Sequence, residues 1–110
     1  MSRVEAQSPD PAPVFAALGS VSRLELVSRL SDGKEHSITA LTHGLDLTRQ
    51  AITKHLQVLH SAGIVHRRKV GRESRFTIRP RPITEAKEYL ARVSNQWDGA
   101  IARLRDAVEP

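Results

Sequence analysis

The chain has no cysteine in 110 residues. That excludes a disulfide framework, thiolate metal centres, iron–sulfur ligation and a cysteine nucleophile. Aromatic residues are scarce: Phe15, Phe76, Tyr89 and Trp97 are all there are. They form no platform on adjacent strands for stacking single-stranded bases. The longest apolar run, Val14 to Leu18, falls far short of a membrane span. The opening stretch MSRVEAQSPDPAP has no apolar segment, so no secretory leader is expected and the expected location is the cytoplasm. There is no P-loop, dinucleotide fingerprint, HExxH or GxSxG. His60 and Ser61 are neighbours in sequence, but adjacent helix residues do not face one another. An enzyme is not expected.

Acids are nearly missing from one region. From Thr48 to Arg81 there are nine basic residues and a single acid, Glu73. The net charge there is +8, and the rest of the chain sums to −3. A basic patch this concentrated attracts a polyanion, nucleic acid first, though an anionic membrane surface or a merely solvated face would also carry it.

Length allows one domain with a modest core. Residues 1–10, with little to bury and three prolines reached by position 13, read as a flexible tail before a single domain over 11–110. Val14 to Leu18 reads as a short helix ended by Gly19. Ser22 and Glu25 have the form of a capping box opening a second helix, whose apolar face is Leu24, Leu26, Val27 and Leu30. His36 to Ile38 reads as a short extended segment. Thr39 is the expected cap of a short helix stopped by Gly44, and Thr48 of a longer one running to about Ser61, with Gly63 beyond it. Two helices joined by a tight turn over 39–62 have the form of a helix-turn-helix. Residues 64–79 read as a β-hairpin with Gly71, Arg72 and Glu73 at its tip. A last helix is expected over about 82–108, with Ile83, Ala86, Leu90, Val93, Trp97, Ile101, Leu104 and Val108 in a stripe of three- and four-residue steps.

At about 100° per residue, Ala51, Ile52, Leu56, Val58, Leu59 and Ala62 share one half of the longer helix. Arg49, Gln50, Thr53, Lys54, Gln57 and Ser61 share the other, with no acid among them. Arginine and glutamine have the donor patterns that address guanine and adenine edges in a major groove. His55 projects onto the apolar half and is expected as a core histidine hydrogen-bonded inside; His60 lies on the flank. Arg67, Arg68, Lys69, Arg72 and Arg75 on the hairpin suit phosphates and the minor groove, or a charged edge kept soluble.

One such helix reads only a few base pairs, and two copies a DNA turn apart demand a dimer. The final stripe is long for so small a body. Part of it is expected to pack on Val14, Phe15 and Leu18, and part on a partner, so that these three with Leu90, Val93, Trp97, Ile101 and Leu104 form the interface. The fold class is therefore mainly α with a small β-hairpin, a winged helix-turn-helix dimerising through its terminal helices. The function expected is sequence-specific binding of double-stranded DNA. The competing functions are a sequence-independent nucleoid-type protein and a winged-helix protein adaptor.

Three stretches together carry a resemblance: LELVSRL over 24–30, LTRQAITKHLQVL over 47–59 and SAGIV over 61–65. They resemble the ArsR family of winged-helix bacterial repressors, and VGRESRF over 70–76 is similar to that family's wing. Trp97-Asp98 resembles a subgroup not built around arsenic sensing. The resemblance spans roughly Val14 to Val108. It implies a dimeric repressor of its own operon on an inverted repeat, with Arg49, Gln50, Thr53 and Lys54 where members contact DNA and the terminal helices where they pair. The family's cysteine metal site is missing from Ser37 to Thr42, and the last helix has no histidine for the family's other site. A new site from His36, His43 and Asp46 is conceivable, but ordinary polar roles are the expectation. No metal or cofactor is expected, and the resemblance leaves the effector open.

Overall fold

Prolines flank the start of the first helix, where they cost little because first-turn N–H groups have no helical partner. Helix α1 (Ala12–Leu18) follows Pro11, and the Asp10 carboxylate accepts the Ala12 N–H at 3.0 Å. A computed structural model describes residues 10–108. Apart from Asp10, the tail expected over 1–10 lies outside the described residues.

Helix α2 (Val21–Leu30) is capped by Ser20, whose hydroxyl accepts the Arg23 N–H at 3.3 Å. The expected capping box at Ser22 is thus corrected by two residues. Ser20 has the extended backbone a cap requires, with φ −149° and ψ 131°, whereas Ser22 is already helical. Glu25 reaches forward to Arg29 at 3.4 Å instead of back. The same correction applies to α3 (Ile38–Thr42). Its cap is Ser37, which accepts the Ala40 N–H at 3.1 Å, and Thr39 lies inside the helix. Helix α4 (Arg49–Ser61) has the expected cap, with Thr48 Oγ1 accepting the Ala51 N–H at 3.0 Å. Gly63 follows it at φ +77°, a left-handed backbone that glycine adopts without strain.

The expected hairpin is strands β2 (Val65–Val70) and β3 (Glu73–Ile78). Its loop is Gly71 and Arg72, with Gly71 at φ +64° in the first position, where tight hairpin turns favour glycine. A third strand, β1 (His36–Ser37), pairs antiparallel with β3 through His36↔Phe76 and Ser37↔Arg75, giving the order β1-β3-β2. Helix α5 (Pro80–Val108) starts two residues earlier than expected.

The core is wholly apolar. Leu26 and Leu30 of α2, Leu41 of α3, Ile52, Leu56 and Leu59 of α4, then Ile64 and Val65, are sealed from solvent, with Phe76 of β3 and Ala86 of α5 beside them. Each large side chain of this kind contributes about 1.5–3 kcal/mol by leaving water. The effect is to lock α4 onto the body by one face and leave its other face outward. Val14, expected under the final stripe and at the subunit interface, is 7% exposed inside this chain's own core. Val14 and Ala17 stand three apart on α1, so both turn inward together, while Phe15 and Leu18 are half-buried against the same core. Val58 departs the other way. It stands on the half of α4 expected to be covered, yet it is 41% exposed, on an open groove whose α1 side is the small residues Pro13, Ala16 and Ala17.

Candidate nucleic-acid interface

Two side-chain caps aim the helix-turn-helix: Ser37 starts α3 and Thr48 starts α4. Between them Gly44 turns the chain at φ +77°, and the Arg29 guanidinium donates to the His43 carbonyl, bracing that turn against α2. Behind α4 the Arg23 guanidinium donates to the Ala17 carbonyl and, at 3.3 Å, to His55 Nδ1. Arg23 therefore ties α1, α2 and α4 together. His55 is hydrogen-bonded within the fold as expected, but it is half-buried at the edge of the apolar core and not a core residue. The part of Arg23 was missed, since nothing local to α2 signals a partner 32 residues away.

The outward face of α4 carries Arg49, Gln50, Lys54 and Gln57, all exposed, with no acid in its first turn. The unpaired N–H groups of that turn add a partial positive charge. Two polar groups on this face already have partners. Arg49 Nη1 donates to Thr39 Oγ1 at 2.7 Å, and Thr53 Oγ1 donates back to the Arg49 carbonyl at 2.9 Å.

The sheet register splits four of the five basic residues of the wing between two faces. Arg67 stands opposite the buried Phe76, so it shares the face turned to α4, and Lys69 lies two residues further along that face. Arg67 and Ser74 line a cleft of about 360 Å³ against Thr53, Gln57, His60 and Ser61 of α4. Arg68 and Arg75 are cross-strand partners on the opposite face. There Arg68 grips Glu35 with two bonds, Nε to Oε2 at 2.6 Å and Nη2 to Oε1 at 2.7 Å. Arg75 Nε donates to Glu73 at 2.8 Å and its Nη1 lies 3.9 Å from Glu35. The Arg68 bonds hold the Glu35 carboxyl below the usual carboxylate range, and Glu35 in turn raises Arg68. Arg72 is exposed at the tip. Among the described residues, Arg67, Lys69 and Arg72 have no carboxylate within 4 Å. The hairpin tip was legible in sequence to within one residue, Glu73 being the first residue of β3 and paired with Val70; this division was not, because it depends on Glu35, which lies outside the wing.

Among the described residues no three His, Asp or Glu side chains converge. His36 Nε2 lies 3.0 Å from both Asp32 carboxylate oxygens, and the Lys34 backbone N–H and His36 hold Asp32 below its ordinary range. His43 and Asp46 are exposed apart from it. No helix among the described residues is long and apolar enough to cross a membrane.

At the far end of the molecule, α5 rests its first turns on α1, with the Phe15 and Tyr89 rings 6.1 Å apart and tilted by 55°. Beyond that contact the stripe is uncovered: Trp97 is 64% exposed and Leu104 65%, with Leu90 and Ile101 about half exposed and Val93 partly covered.

The helix-turn-helix domain family matches residues 18–68. The HTH-type transcriptional regulator YuzN of Bacillus subtilis is 38% identical over 65 residues, covering 54% of this chain and 71% of the relative. Among solved structures, an ArsR-like transcriptional regulator from Rhodococcus sp. RHA1 is 34% identical with a TM-score of 0.75, over 87% of this chain and 90% of that one. Reduced HlyU from Vibrio cholerae is 26% identical with a TM-score of 0.63, over 84% of this chain and 97% of that one.

Proposed function

This chain belongs to the ArsR family of winged helix-turn-helix transcriptional regulators, and we propose that it acts as a homodimeric repressor on an inverted repeat near its own promoter. The unit is a single winged-helix domain over 11–110, with the helix-turn-helix at 39–62, the wing at 64–79 and α5 as the dimerisation helix. The observation that carries the reading is the outward face of α4, where Arg49, Gln50 and Lys54 stand exposed at an acid-free helix start. Arg49 and Gln50 read base edges, while Thr53, Lys54 and Gln57 border the backbone. A sequence-independent coat has no use for groups that discriminate guanine from adenine.

The uncovered stripe of α5 supports the dimer. Large apolar side chains at Leu90, Trp97, Ile101 and Leu104 stand in water in the single chain, and burying such a patch is what drives association. Phe15, Leu18 and Val93 border it; Val14 contributes from beneath, as core. Two copies then set their α4 helices in successive major grooves, about one DNA turn apart. The wings lie on the flanking backbone, and the occupied promoter excludes polymerase. The protein works in the cytoplasm with its DNA, without metal or cofactor and without catalysis. A nuclease footprint over the region upstream of its own gene tests this: two protected half-sites of inverted sequence are expected, and uniform protection at all sequences would contradict it.

A further inference from the structure

We propose that Glu35 stands in for a DNA phosphate on the outer face of the wing: it occupies Arg68 and Arg75, and leaves the grip on the duplex backbone to Arg67, Lys69 and Arg72. The inference rests on the DNA-binding reading above and assigns its wing contacts.

Arg68 and Arg75 face each other directly across β2 and β3. Like charges so placed repel unless an anion lies between them. Glu35, delivered from the segment before β1, supplies that anion. Its two oxygens take the Arg68 fork at 2.6 and 2.7 Å, and Oε1 lies 3.9 Å from Arg75 Nη1. A bidentate fork on two oxygens is also how arginine holds a phosphate. Glu73 takes the remaining side of Arg75 at 2.8 Å. The outer face therefore holds two arginines cancelled by two glutamates. The inner face and tip hold three bases with no such partner, and Arg67 already lies beside α4. The pair is at the surface, with Arg68 54% exposed, so the Glu35 charge sets the balance by competition with phosphate and not by walling the arginines off.

The experiment is fluorescence anisotropy with the full chain on a duplex from upstream of its gene and on a scrambled duplex, at salt from about 50 to 200 mM. Arg67→Ala is expected to flatten the log–log salt slope by about 0.9, the share of one phosphate contact, and Arg68→Ala by far less. Glu35→Gln is expected to bind both duplexes about 3- to 10-fold tighter at low salt with a steeper slope, because it frees cationic groups for phosphate. Adding Arg68→Ala to Glu35→Gln should remove that gain, a coupling that a purely structural Glu35 would not produce. Glu35→Ala should share the sign of Glu35→Gln, and a cooperative thermal melt of each variant identifies loss of fold. Weaker binding by folded Glu35→Gln, or equal losses for Arg67→Ala and Arg68→Ala, overturns the inference. A wild-type chain that binds neither duplex overturns the DNA-binding reading, and this inference with it.

Discussion

Arg49 Nη1 donates to Thr39 Oγ1 at 2.7 Å, so the first residue of α4 is moored to the helix before it. The guanidinium is thereby held at the helix start, beside exposed Gln50. A preset side chain loses less freedom on binding than a free one.

From this position Arg49→Ala and Gln50→Ala are expected to relax sequence preference, each costing about 1–3 kcal/mol on the native duplex and less on a scrambled one. Arg72→Ala, at the hairpin tip, should weaken both duplexes alike and flatten the salt slope by about 0.9. Binding titrations on the two duplexes check this. Equal effects of all three substitutions on both duplexes would contradict the division of labour.

Association through α5 is checked by sedimentation. At micromolar concentration the wild type is expected at twice the 12.2 kDa chain mass. Trp97→Lys and Leu104→Lys should shift it toward one chain without disturbing the melt of the core, since both side chains are mostly exposed in the single chain. Trp97 emission should move to shorter wavelength as the protein is concentrated into dimers. A wild type that sediments as one chain would contradict the interface.

Two neighbours on α4 separate buried from merely apolar. Leu56 is sealed from solvent and Val58 is 41% exposed. Leu56→Ala is expected to cost about 2–5 kcal/mol by opening a cavity, and Val58→Ala to stay within about 0.5 kcal/mol. Chemical denaturation measures both.

Val58 also shows where reading from sequence ran out. Helical projection places it on the apolar half of α4, but projection does not know that only the small Pro13, Ala16 and Ala17 of α1 stand beside it. What was legible was what is local: the Thr48 cap, the glycine after α4, the alternation around Phe76 and the stepped stripe of α5. The caps at Ser20 and Ser37 were missed by two residues because serine and threonine recur there, and only the backbone angles select among them. The β1 pairing, the Arg23–His55 bond and the Glu35–Arg68 bond join residues about 30 to 40 apart, and no pattern within one element encodes such a meeting. On the outward face of α4, Arg49, Gln50, Lys54 and Gln57 are exposed where projection puts them, since that depends on one helix alone, whereas Thr53 is half-buried.

Acid stability should carry the mark of Glu35 and Asp32. Both carboxyls are lowered in the folded chain, Glu35 chiefly by the Arg68 bonds and Asp32 chiefly by the Lys34 N–H. Each therefore favours the folded state at and above the ordinary carboxylate range, and the contribution is lost as pH falls through the lowered folded value. Melting temperatures taken from about pH 6 down to pH 3 should fall less steeply for Glu35→Gln than for the wild type. Identical profiles would contradict the assignment of that shift to Glu35.

The central claim is that α4 reads sequence. Fluorescence anisotropy of the wild type with DNA from upstream of its own gene, against a scrambled duplex at two salt concentrations, tests it most directly. The native duplex is expected to bind tighter by a factor on the order of a thousand or more. Equal and steeply salt-dependent binding to both duplexes would contradict it.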